Sequence, residues 1–158
     1  MNMEWIKLSL SPVKDLISFL TKQSKTNDVV KKKLLIELRD NLNVFNNGFL
    51  NASSYDAIIE LLRTDAYEEA VKENFHFHKL RSGKIAPTHV KEERNKKYIG
   101  WDTEKLMDKI HEKSIELKNL RKLNGNTLAN AKNNIPAMMH NLYFRMKLLA
   151  DFIRDKDS

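Results

Sequence analysis

One apolar seam constrains the fold of this chain more than any other feature. Ile135, Met139, Leu142, Met146, Leu149 and Ile153 follow one another at spacings of 4, 3, 4, 3 and 4 residues. That rhythm places all six on one side of a helix about five turns long. Leu128 and Ala131 extend the seam toward the N-terminus across Pro136, which predicts a long helix kinked at the proline. A helix with such a stripe is stable only when other elements cover it. The rest of the chain must supply that cover.

The earlier segments have the right pattern. Val13, Leu16, Ile17 and Leu20 follow Ser11-Pro12, a serine cap with proline at the first helical position. This predicts a short amphipathic helix from Ser11 to about Lys22, within an N-terminal segment (1–24) that packs across the bundle. Asn27-Asp28 opens a long helix whose seam is Leu35, Leu38, Leu42 and Phe45, with Leu34 alongside, and Asn46-Asn47-Gly48 is its expected end. Ser53 or Ser54 caps a short helix with Ile58, Ile59 and Leu62 inward. Thr64 reads as a fresh cap for a further segment carrying Ala66, Tyr67, Ala70 and Val71. Trp101, Asp102 and Leu106 have hydrophobic-staple spacing. They start a helix through Ile110, Leu117 and Leu120 that Asn124-Gly125 stops. From Phe75 to Gly100 the helical period is lost. With only 4 glycines and 3 prolines in 158 residues, the composition favours helix over sheet. The fold class is all-α: one domain (1–158), an antiparallel helical bundle of three long and two or three short helices, with a long irregular connection at about 75–100.

Charge and cysteine content bound the function. The formal charge is +7, which favours anionic partners through long-range attraction. The charge is uneven: Tyr55–Asn74 holds two basic and six acidic residues, Phe75–Gly100 seven basic and two acidic. The absence of cysteine excludes a disulfide framework and thiol chemistry. The N-terminal apolar residues Trp5, Ile6, Leu8 and Leu10 are interrupted by Lys7, Lys14 and Asp15, which argues against a secretory signal or a membrane span. A membrane-surface anchor with Trp5 and Phe19 as wedges is disfavoured by Asp15. The expectation is a cytoplasmic protein.

His76 and His78 lie two apart and His89 further along the same segment; an extended backbone could point the first two rings one way, with the third completing a metal site. No cysteine supports such a site, so no metal and no cofactor is predicted, and these three histidines are the ones to test for a small hydrolase or metal protein. Glu73-x-x-His76 and Asp108-x-x-His111 match di-iron spacing loosely, but Asp108 falls opposite Leu106, Ile110 and Leu117 on the helix and should face solvent. His111-Glu112 lacks the second histidine of a zinc-protease string. The arginine-to-histidine spacing of small helical ribonucleases is missing: seven residues separate Arg81 from His89.

Two binding readings remain. Lys79, Arg81, Lys84, Lys91, Arg94, Lys96 and Lys97 surround Phe75, Phe77 and Tyr98, so the connection could neutralise phosphates and stack bases. No recognised reading helix accompanies it. Alternatively, Met138, Tyr143 and Phe144 flank the main seam and offer a second apolar stripe to another subunit. By elimination the leading expectation is a non-enzymatic interaction or assembly module with a protein partner or a second copy. Nucleic-acid binding through 79–97 is the alternative.

Overall fold

The computed structural model describes residues 3–155, with side chains from Val13 onward. These described residues form an all-helical bundle of six helices: α1 (Met3–Gln23), α2 (Val29–Leu50), α3 (Tyr55–Leu61), α4 (Asp65–Lys72), α5 (Thr103–Leu123) and α6 (Ile135–Arg154). Among the described residues none is in a strand and no helix is long and apolar enough to cross a membrane.

Four helices are long rather than three, because α1 starts at Met3 and carries Pro12 within it. The Ser11-Pro12 start is thereby corrected. Proline forgoes one hydrogen bond in that position, and a helix with enough packing tolerates the loss. α1 lies along α2 and α6, burying Val13, Leu16 and Leu20. Phe19 packs on the core, whereas the Trp5 side chain lies outside those described.

In α2, Asp28 caps as expected, its Oδ1 accepting the Lys31 N–H at 3.1 Å. The helix does not stop at Asn46-Asn47-Gly48 but runs on to Leu50. Gly48 serves as a crossing point instead of an end: a Cβ there would lie 2.6 Å from Ile58 Cγ1 of α3. Ser54 caps α3, accepting the Ala57 N–H at 3.1 Å.

α6 is the central helix. It begins at Ile135, where Asn134 Oδ1 accepts the Ala137 N–H at 3.2 Å. Leu128–Asn130 forms a separate 3-10 turn, so the expected kinked continuation across Pro136 is replaced by a true start. Proline costs least in a first turn, where no intrahelical N–H is needed. Every residue from Leu142 to Ile153 is buried. Tyr143 is covered by Phe45 and Phe49 of α2, with ring centres 5.6 and 5.3 Å away, and the Arg94 guanidinium lies 4.6 Å from the Phe144 ring centre. Both aromatic residues are 1% exposed and Met138 packs on the core. The second apolar stripe is closed within the chain itself.

The connection between α4 and α5 supplies that last cover. It carries 3-10 turns at Phe77–Lys79, Pro87–His89 and Glu93–Tyr98. Its neck is tied by the Ile85 N–H to the Trp101 carbonyl and the Gly100 N–H to the Ile85 carbonyl, both at 2.8 Å. Asn95 donates to the Phe144 carbonyl at 3.0 Å, Arg145 Nε donates to the Tyr98 hydroxyl at 2.8 Å, and Lys147 lies 3.5 Å from Glu92. Burying Arg145 and Lys147 under this strap is tolerable because each finds a polar partner there.

Candidate functional site

A cleft of about 700 Å³ opens between the end of α4, the start of the connection and the first turn of α5. That is within the range of roughly 300–1,000 Å³ usual for ligand sites. Its lining includes Val71, Phe75, His76, His78, Lys84 and Glu104.

The sequence Phe75-His76-Phe77-His78 builds one wall by alternation. His76 is extended (φ −84°, ψ 101°), which sends its side chain away from those of Phe75 and Phe77, and His78 follows in the 3-10 turn that starts at Phe77. Phe77 is buried and Phe75 half-buried, their rings edge-on at 5.4 Å, with Tyr67 5.7 Å from Phe77. His76 and His78 are exposed, with ring centres 5.6 Å apart. The side chains of His76, His78 and Lys84 make no hydrogen bond or ion pair among the described residues. The opposite wall is fixed by Asp102, whose Oδ1 accepts the Lys105 N–H at 2.9 Å, and by Thr103, which donates to the Arg81 carbonyl at 2.8 Å.

The position of α4, and so of Val71, depends on polar groups from α2 and α5. Thr64 does not cap α4 with its side chain; its hydroxyl donates to Glu68 instead. The cap comes from Glu37 of α2, whose carboxylate oxygens accept the Ala66 and Tyr67 N–H groups at 2.9 and 3.1 Å. Burial raises the Glu37 carboxyl above its usual range, although both N–H bonds pull it down. Asn41 clamps Arg63 by accepting its N–H and donating to its carbonyl, each at 2.9 Å. From α5, His111 Nε2 sits 2.9 Å from Glu68, and Asp108 accepts the Tyr67 hydroxyl at 3.1 Å. The His111 contact holds the Glu68 carboxyl below its usual range. The space among these groups is about 40 Å³, enough for roughly one water. They hold α4 rather than receive a ligand. Sequence reading missed this set, yet Glu37 and Asn41 lie one turn apart flanking the α2 seam, a spacing that marks a polar pair on a buried face.

The other predicted site residues separate from the cleft. His89 is 2% exposed, its Nδ1 accepts the Ala86 N–H at 2.8 Å, and its ring meets Phe152 edge-on at 5.0 Å. It does not join His76 and His78, and among the described residues no three His, Cys, Asp or Glu side chains are grouped to hold a metal ion. Arg81 touches the cleft, but its guanidinium donates to the Phe152, Asp155 and Ser82 carbonyls and lies 4.6 Å from the Phe152 ring centre. Lys91 pairs with Asp155 at 3.5 Å. Both cations therefore sit at the C-terminal end of α6, where the helix dipole favours them. Arg94 donates to Asn141 at 3.2 Å, Lys96 pairs with Glu93 at 2.7 Å, and Lys79 lies 3.8 Å from Asp28. Lys97 lies 5.4 Å from the Tyr98 ring centre. Tyr98 and Phe77, considered above as stacking platforms, are 3% and 5% exposed and belong to the core.

No family model, no characterised protein and no solved structure matches the chain.

Proposed function

We propose that this protein is a non-enzymatic binding module that receives a segment of a protein partner in the cleft between α4 and α5. The observation that carries this reading is the cleft rim, where the side chains of His76, His78 and Lys84 stand exposed with no hydrogen bond or ion pair among the described residues. Exposed and unheld, these side chains are available to a ligand that enters the cleft. Val71, 48% exposed, and half-buried Phe75 add apolar area to the same cleft. The cleft is lined mostly by polar residues, with Val71, Phe75 and Phe77 as its apolar part, and recognition sites combine convergent polar groups with such apolar surface. Histidines and lysine together favour a segment carrying a carboxylate, and the overall charge of +7 assists its approach.

A nucleic-acid reading draws on the same connection with less support. Arg81, Lys91, Arg94 and Lys96 are each engaged inside the chain, and two of the three aromatic residues available for stacking are buried.

The test places a photo-crosslinking residue at Ser82 in the cleft and, as a control, at exposed Leu123. The expected result is a defined protein captured from Ser82, insensitive to nuclease and lost when Lys84→Glu is added. Equal capture from both positions, or nuclease-sensitive capture, refutes the proposal.

A further inference from the structure

We propose that His76 and His78 form a two-residue chelate for a divalent transition-metal ion of the zinc class, with the ion's remaining positions left open. This goes beyond the binding-module reading and does not depend on it. Imidazole is a preferred ligand for zinc, copper and nickel. Two imidazoles bound to one tetrahedral zinc through bonds of about 2.0–2.1 Å have ring centres about 5 Å apart. The His76 and His78 ring centres are 5.6 Å apart across a single intervening residue. Both side chains are exposed and neither is held by a hydrogen bond among the described residues, so small rotations about their side-chain torsions can close the difference. Phe77 between them is 5% exposed and meets the Phe75 and Tyr67 rings. That anchor fixes the backbone from which both imidazoles project, and part of the ordering cost of chelation is met before the ion arrives.

The same geometry defines what the site is not. No third protein donor is grouped with the pair among the described residues, which excludes a closed structural site of the four-ligand kind. A chelate with two protein ligands is exchangeable and keeps positions for donor atoms brought by whatever occupies the cleft. Lys84 shares the cleft but an ammonium is no metal ligand, and Asp102 accepts the Lys105 N–H of the α5 cap through its Oδ1.

The experiment is a calorimetric titration of untagged, chelator-treated full-length protein with Zn2+, repeated with Ni2+. The expected result is one ion per chain. His76→Ala or His78→Ala each weaken binding about 100-fold, because losing one arm of a chelate forfeits its effective concentration. Thermal melts of the two cleft variants should overlay the parent, since both residues are exposed. Absence of stoichiometric binding in the parent overturns the proposal, as does undiminished binding in the two alanine variants. Lys84→Glu should retain the ion while losing the crosslinked partner, so the two proposals can fail separately.

Discussion

The two halves of the connection between α4 and α5 are made of similar residues and differ in how many of their polar side chains the fold engages: Arg81 and Lys79 of the first half are engaged as well. In the second half, Glu92, Asn95 and Tyr98 are turned onto α6 and spend their polar groups on Lys147, the Phe144 carbonyl and Arg145. In the first half, His76, His78 and Lys84 spend theirs on nothing among the described residues. The contrast teaches where to look for function in a basic helical chain. The density of positive charge is a poor guide, because Arg81, Lys91 and Arg94 are structural. What distinguishes the first half is a set of polar groups held in place by buried aromatic residues yet left without internal partners.

The contrast is broken most severely at Tyr98. Replacing it with alanine removes a buried ring and the acceptor of the Arg145 Nε bond. Such a change should lower the unfolding free energy by about 3–5 kcal/mol. His76→Ala and His78→Ala should each stay within about 0.5 kcal/mol of the parent. Chemical denaturation of the three variants checks both statements. A Tyr98→Ala protein as stable as the parent would show that the strap is not part of the core.

Asn41→Ala comes next. It deletes both hydrogen bonds to the Arg63 backbone and should cost about 2 kcal/mol. It should also loosen α4, which faster amide exchange at Ala66–Ala70 would report. Unaltered exchange there would mean that Glu37 and His111 hold α4 alone.

The parts of the fold that were legible in the sequence are those with a strong period or a local cap. The α6 seam, Asp28, Ser54, Asp102 and Asn124-Gly125 belong here, because neighbouring residues decide them. The parts that were not legible depend on contacts made at a distance. Gly48 looks like a helix end until α3 is seen crossing it. Thr64 looks like a cap until Glu37, far back in the chain, takes the task. The apparent second stripe at Tyr143 and Phe144 is indistinguishable from an interface until the strap and α2 are seen to cover it. The His76-x-His78 pair was visible as a spacing, but only the structure separates it from His89, which had equal standing as a loop histidine.

Glu37 allows a pH test of the α4 clamp. Burial raises its carboxyl above the unfolded reference of 4.5, so folding favours its protonated form. Its contribution is most favourable below about pH 4.5 and declines as the pH rises through the raised value. Glu68 has the opposite sign, since its depressed carboxyl stabilises above its usual range and that benefit is lost in acid. The measurement is therefore a difference: stability of the parent minus that of Glu37→Gln, followed from pH 4 to pH 7. That difference should shift against the parent as the pH rises. At neutral pH the variant should differ by about 1 kcal/mol or less, because losing one N–H acceptor is offset by relief of a buried charge. A pH-independent difference would mean that the Glu37 carboxyl holds its proton equally well in the folded and unfolded chain, so that its burial is not felt.

The smallest effect on stability, and the sharpest on function, is expected at Lys84. It is exposed, has no hydrogen bond or ion pair among the described residues, and lies in the cleft. Lys84→Glu should leave the melting curve in place, as surface changes of this kind usually do within about 0.5 kcal/mol. It should reduce partner capture and slow association, because reversing a charge beside a docking site acts first on the encounter. The matching reversal Lys91→Glu replaces a lysine paired with Asp155 at the end of α6. It should cost stability through repulsion there while sparing capture. If instead the two reversals reduce capture equally, charge alone governs binding, and the distinction between spent and unspent side chains no longer locates the site. If only Lys84→Glu does so, the position of the cation matters more than its sign, as a shaped cleft requires.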